Sequence, residues 1–195
     1  MSSLNEEFMD LINETVDINE IRLSDIPSIY LYADQITTYM EENLNSFRRY
    51  PRDKILTKTM INNYAKAKVL PAPIGKKYSK NHLMLLIIIY HLKSVLSISD
   101  INKLLTPITR GLKPEERSKN LEKIYDYFVT LQEANRKNIL SMTLADYKII
   151  DEITKDEEIE NESHIKLILA VLYLTIKSDM EKRLAEKIID RYFDN

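Results

Sequence analysis

Glycine is almost missing from this chain. Gly75 and Gly111 are the only two in 195 residues, against roughly 7% in ordinary proteins. Phosphate-cradling loops of the Rossmann, Walker and kinase kinds need several glycines for close backbone approach. They are therefore excluded, and with them ordinary nucleotide-dependent enzymology. The same scarcity, few prolines, and apolar residues recurring every three to four positions argue for an all-α protein. At 44% apolar and 30% charged residues, the chain has ample means to bury a core. Cysteine is absent, which removes disulfides and thiolate metal sites and fits a reducing compartment.

The apolar spacing sets out the elements. Phe8, Leu11, Ile12 and Val16 form one stripe in an N-terminal helical extension, residues 1–31. A second helix runs from Ala33 to about Leu44, with Ile36, Tyr39, Met40 and Leu44 facing one way. Pro51 breaks the connector that follows, Asn45–Leu56. Thr57 is placed to cap a short helix ending near Val69. Ile61, Tyr64, Ala65 and Val69 form its inner stripe; Thr59, Asn62, Asn63 and Lys66 lie opposite, with Lys58 on the flank. Pro71, Pro73 and Gly75 make Leu70–Tyr78 a turn-rich loop exposing Lys76, Lys77 and Tyr78. Ser79 caps an apolar helix through Lys93, and Ser97 opens another to Leu105.

Pro107, Gly111 and Pro114 mark Thr106–Lys113 as a joint, which sets off residues 32–106 from an α-helical C-terminal region, 114–195. There Leu121, Ile124, Tyr125, Phe128 and Leu131 predict one helix and Ser141–Ile153 a second. An acidic loop, Thr154–Ser163, precedes a final helix from Ser163 to about Phe193. The apolar runs Leu83–Leu92 and Ile165–Ile176 fall short of the ~20 residues needed to span a bilayer. The start lacks the pattern of a signal peptide. A cytoplasmic protein with no membrane partner is expected.

Charge is sorted along the chain. Asn45–Lys80 carries ten Lys and Arg and one acid, a local net charge of +9, while the whole chain is −2. Met1–Phe47 holds ten acids and one base. Solubility does not require such sorting; a concentrated basic face is the footprint of a polyanion partner. The amide, hydroxyl and ammonium groups of Thr59, Asn62, Asn63 and Lys66 suit base edges in a major groove. Lys58, Lys76, Lys77, Arg48 and Arg49 suit phosphates, with Thr57 and Tyr78 as flanking contacts; Tyr64 and Tyr78 read first as framework residues, each with a hydroxyl in reach of phosphate. No metal site emerges: His82 and His91 fall on opposite sides of one helix, and the acidic run Asp151–Glu162 has Ile153 and Lys155 at calcium-ligand positions and Asp156 where a glycine is needed.

The segment TKTMINNYAKAKVL followed by PAPIGKKYSKNHLMLLIIIYHLKSVLSISDINKLL resembles the DNA-binding domain of MerR-type transcription regulators. The likeness rests on Thr57, Ile61, Tyr64, Val69, Leu70, Pro73, Gly75, Tyr78, Ile98, Ile101, Leu104 and Leu105, and spans about Tyr32 to Leu105. Asn62 and Asn63 stand where that family has arginine and tyrosine, Lys68 where it has glycine, and the connector is longer. The stretches DQITTYM, TKTMINNY and KKYS also resemble an uncharacterised family of small bacterial proteins of unknown function. The MerR resemblance implies a winged helix-turn-helix in the first half, double-stranded DNA as partner, and a homodimer. The function expected is transcription regulation by a non-enzymatic, cofactor-free protein whose C-terminal helices provide dimerisation, sensing of a small effector, or both. The alternative is an α-helical protein–protein interaction module that keeps the shape without binding DNA.

Overall fold

The computed structural model describes residues 3–110, 113–155 and 161–194. The described chain is predominantly helical. Its helices are α1 (Ser3–Val16), α2 (Ala33–Asn43), α3 (Lys58–Lys66), α4 (Lys80–Leu92), α5 (Ile98–Thr109), α6 (Pro114–Thr154) and α7 (Glu162–Tyr192). Two short strands, β1 (Leu31–Tyr32) and β2 (Lys77–Tyr78), pair antiparallel with Leu31 opposite Tyr78 and Tyr32 opposite Lys77. The chain divides into two compact units, one of residues 20–130 and 185–195, the other of residues 1–19 and 131–184.

The first unit is organised around α4. Its residues from His82 to Ile89 are all buried, so this helix is apolar all round and can only occupy the middle of a core. Ile36 and Met40 of α2, Ile61 and Tyr64 of α3, Ile101 and Leu105 of α5, and Leu121 and Tyr125 of α6 join the same cluster. Polar tethers then fix the irregular segments. The Tyr125 hydroxyl, fully buried, donates to the Ile21 carbonyl at 2.7 Å, and Tyr39 donates to the Asp25 carbonyl at 3.1 Å. Burial, reinforced by Asp25, pushes the Tyr39 phenol up to about 12, so it remains a donor at any ordinary pH.

In the second unit, Ile12 of α1 is buried, and the rings of Phe8 and Tyr147 lie 5.2 Å apart. The Arg136 guanidinium donates to the Ile18 carbonyl at 2.9 Å. Lys166 bridges Asp151 and Glu162 at 2.6 and 2.7 Å, and Lys177 meets Asp146 at 2.6 Å. These pairings run the later part of α6 antiparallel to the start of α7.

Several boundaries differ from the sequence expectation. The helix predicted to start at Ser141 is a continuation of α6, since no breaker interrupts the chain between Pro114 and Thr154. The joint predicted at Thr106–Lys113 is helical through Thr109, with Pro107 inside α5. Proline removes an N–H and normally ends a helix. Here it lies in the last turn, while the hydroxyls of Thr106 and Thr109 donate to the Asn102 and Leu105 carbonyls. Helix α3 stops at Lys66 rather than Val69. Gly111 and residues 156–160, half of the acidic segment predicted as a loop, lie outside the described residues.

His91 sits among aromatic rings at one end of α4, with centroids 4.9 Å from Phe47 and 5.4 Å from Phe128. Burial pushes its pKa down from 6.5 to about 4. The unfolded chain therefore takes up a proton near pH 6.5 that the folded chain refuses until about pH 4. Stability from this residue is complete above pH 6.5 and lost as pH falls toward 4. That loss should amount to about 3 kcal/mol. Urea unfolding at pH 7 and pH 4.5 checks it: His91→Phe, which keeps the ring packing, should show the smaller drop.

Candidate nucleic-acid interface

Local chemistry at both ends of α3 sets its orientation. At the start, the Thr57 side chain accepts from the Met60 backbone N–H at 3.2 Å, the expected cap. At the end, the Val69 N–H bonds the Tyr64 carbonyl and the Lys68 N–H bonds the Ala65 carbonyl, both at 3.0 Å. That is a Schellman closure, which needs a left-handed residue after the cap. Lys68 supplies it at φ +60°, and the Arg110 guanidinium donates to its carbonyl at 3.0 Å. With Ile61 and Tyr64 buried, the helix has one face left. Thr59, Asn62, Asn63 and Lys66 all lie exposed there.

Beside it in sequence stands a tight hairpin. Ile74 and Lys77 exchange both backbone bonds at 3.0 Å, with Gly75 at φ +57° and Lys76 at φ +65° between them. Two successive positive φ angles define a two-residue turn of the primed kind, whose twist matches the flanking strands. Such a turn favours glycine at its second central position; here that position is a lysine. Lys76 and Lys77 are exposed, and the Lys77 ammonium lies 5.3 Å from the Tyr32 ring centroid. Tyr78 is only 5% exposed and meets the His82 ring edge-on at 5.5 Å. Burial holds the His82 pKa below its ordinary value against the opposing pull of the Ala72 and Pro71 carbonyls, so this ring is neutral framework. Tyr78 likewise anchors the hairpin and offers little surface.

The remaining basic residues divide into engaged and open. Arg48 is half-buried, paired with Glu41, and donates to the Pro51 carbonyl at 3.4 Å. Glu41 also accepts from the Ile55 N–H at 3.1 Å, so this pair pins the connector to α2 and takes up the Arg48 charge. Lys58 is exposed and paired with Asp34; an exposed pair of this kind is weak and exchangeable. Arg49 and Arg52 have no acidic partner among the described residues. Their guanidinium carbons sit 5.2 and 5.5 Å from the ring centroid of Tyr50. The turn beneath them closes by a bond from the Asp53 N–H to the Tyr50 carbonyl at 3.0 Å, and the Asp53 carboxylate accepts from the Tyr50 N–H at 3.1 Å.

The structure thus brings together Lys58, Thr59, Asn62, Asn63 and Lys66 exposed on one helix, capped by the half-buried Thr57, and Lys76 and Lys77 on one hairpin. It withdraws Arg48 and Tyr78 into structural roles. Sequence reasoning overlooked the stacking of Lys77 on Tyr32 and of two arginines on Tyr50. The first depends on strand pairing across 45 residues and had no local signal. The second was signalled by Arg-Tyr-Pro-Arg, a turn proline flanked by cations. No group of side chains suited to a metal ion occurs among the described residues, and no helix there is long and apolar enough to cross a membrane.

A family model described as a domain of unknown function (DUF1836) matches residues 21–128, nearly coinciding with the 20–130 part of the unit that carries this face. No curated protein and no solved structure matches the chain.

Both lysines at positive φ carry backbone strain of about 1 kcal/mol, since an L side chain disfavours the left-handed region. Lys76→Gly and Lys68→Gly should each raise stability by about that amount, measured as a higher urea midpoint. Gly75→Ala should lower it similarly. The space around the missing Cβ is open, so the backbone angle alone sets that cost.

Proposed function

We propose that this chain, which belongs to the DUF1836 family, is a sequence-specific DNA-binding protein and transcription regulator, non-enzymatic and acting in the cytoplasm. In this reading residues 32–106 form a MerR-like winged helix-turn-helix, with α3 as the recognition helix and the Ile74–Lys77 hairpin as the wing. The observation that carries the proposal is the open polar face of α3 in the same unit as a hairpin with a strained lysine at its tip. Strained residues persist where function requires the side chain, and a glycine at position 76 would make a more stable turn but offer no charge.

Read this way, α3 enters the major groove. Asn62 and Asn63 can each pair bidentately with an adenine edge, and Thr59 and Lys66 can reach neighbouring bases. Lys76 and Lys77 meet flanking phosphates, Lys58 exchanges Asp34 for a phosphate, and Arg49 contacts the backbone from the connector. These contacts hold register and contribute affinity that falls with salt. Thr57 acts through its cap, setting the entry angle of the helix.

A homodimer fits the same reading. On α7, Ile168, Val171, Leu172 and Ile176 are each more than half exposed. Their spacing places them on one face, as a helix needs in order to pack on a second copy. Leu172→Glu should shift the chain to monomer by light scattering and weaken DNA binding through loss of the second half-site.

Recovery of bound fragments from mixed genomic DNA, followed by salt titration on a recovered site, tests the proposal. Lys76→Ala and Lys77→Ala should each reduce the slope of log affinity against log salt by ~1. Asn62→Ala and Asn63→Ala should each lower discrimination against non-selected DNA by about 1–3 kcal/mol. Absence of any selected fragment, or slopes indifferent to both lysines, overturns the proposal. In that case the exposed α3 face belongs to a protein–protein interaction module.

A further inference from the structure

The connector Asn45–Leu56 is held more firmly than a solvated loop needs. Its backbone turns at Pro51, and two bonds close that turn: the Asp53 N–H donates to the Tyr50 carbonyl at 3.0 Å, and the Tyr50 N–H to the Asp53 carboxylate at 3.1 Å. Before the turn, Arg48 is paired with Glu41 and donates to the Pro51 carbonyl at 3.4 Å. After it, Ile55 and Leu56 are buried. The Ile55 N–H donates to Glu41 at 3.1 Å, and the Lys93 ammonium to the Ile55 carbonyl at 3.1 Å. The backbone is thus fixed on both sides.

What this frame displays is a pair of guanidiniums. Arg49, Tyr50, Pro51 and Arg52 are all exposed, and the Arg49 and Arg52 guanidinium carbons lie 5.2 and 5.5 Å from the Tyr50 ring centroid. Attraction of a cation to an exposed ring is weak, and two like charges drawn to one ring repel each other. The acids built into the frame are occupied, Asp53 by the turn and Glu41 by Arg48 and Ile55. The cluster therefore adds little to folding. What it supplies is order: planar donor forks, which match phosphate oxygens, held in place before any anion arrives.

We propose that Arg49, Tyr50 and Arg52 form a phosphate clamp on the backbone of a duplex seated on α3, in which both guanidiniums donate to phosphate oxygens and the Tyr50 ring positions them. The inference rests on the DNA-binding reading and adds Arg52 and Tyr50 to it. Reach favours this ligand over an acidic protein. The Thr57 cap of α3 lies five positions after Arg52, a span of at most about 18 Å, or ~5 base pairs of duplex. Lys54, exposed between the two, extends the same positive field. The connector is also the stretch that is longer than in the MerR pattern, so that resemblance gives it no role.

The test is salt titration of the full chain on a recovered DNA site, with Lys76→Ala run alongside as the reference for DNA binding itself. Arg49→Ala and Arg52→Ala should each lower the slope of log affinity against log salt by ~1. Arg52→Lys keeps the charge but not the fork, so its slope should hold while affinity falls about threefold. Tyr50→Phe should bind as the parent does. Tyr50→Leu should bind about threefold more weakly with the slope unchanged, because the charges remain but are no longer held. All three positions are exposed, and equal urea midpoints verify that the variants fold. A slope that falls in Lys76→Ala but not in Arg49→Ala or Arg52→Ala overturns the clamp alone. So does Tyr50→Leu binding as tightly as Tyr50→Phe, or Arg52→Lys binding as the parent does. If no DNA is bound, or every slope including that of Lys76→Ala is unchanged, the DNA-binding reading fails and the clamp with it.

Discussion

The burial of α4 on every side is the constraint from which the rest of the first unit follows. Eight consecutive residues, His82 to Ile89, are removed from water, and no two-layer arrangement could cover them. Helices α2, α3, α5 and the start of α6 each commit an apolar stripe to that cluster. Once Ile61 and Tyr64 are drawn inward, the helical period leaves Thr59, Asn62, Asn63 and Lys66 no other direction than outward. The candidate interface is therefore a consequence of the core, held in place at its ends by Thr57 and Lys68.

Around that core the acids and bases are distributed unevenly in their availability. Glu41 and Asp34 of α2 take up Arg48 and Lys58, while Lys66, Lys76 and Lys77 remain open to solvent. The two lysines held at positive φ, 68 and 76, are both local departures from the residue that backbone geometry favours. Lys68 has a structural compensation in the Arg110 contact to its carbonyl. Lys76 has no such contact among the described residues, and its side chain stands exposed at the hairpin tip.

The second unit follows a different logic. Its helices pair through ion bridges at their edges and a modest set of buried residues, and α7 keeps a broad apolar arc exposed.

The scarcity of glycine and the three-to-four spacing of apolar residues determined by themselves that this chain is helical. They also determined which face of the segment after Thr57 is polar, because helix period and cap chemistry are local. The basic segment Asn45–Lys80 was equally legible. Tertiary structure alone decided which charges remain free: Arg48 and Arg49 are neighbours in sequence, yet only Arg48 meets Glu41, because pairing depends on how the connector folds back on α2. It likewise decided that Pro107 sits inside a helix stabilised by hydroxyl back-bonds, and that α6 runs unbroken.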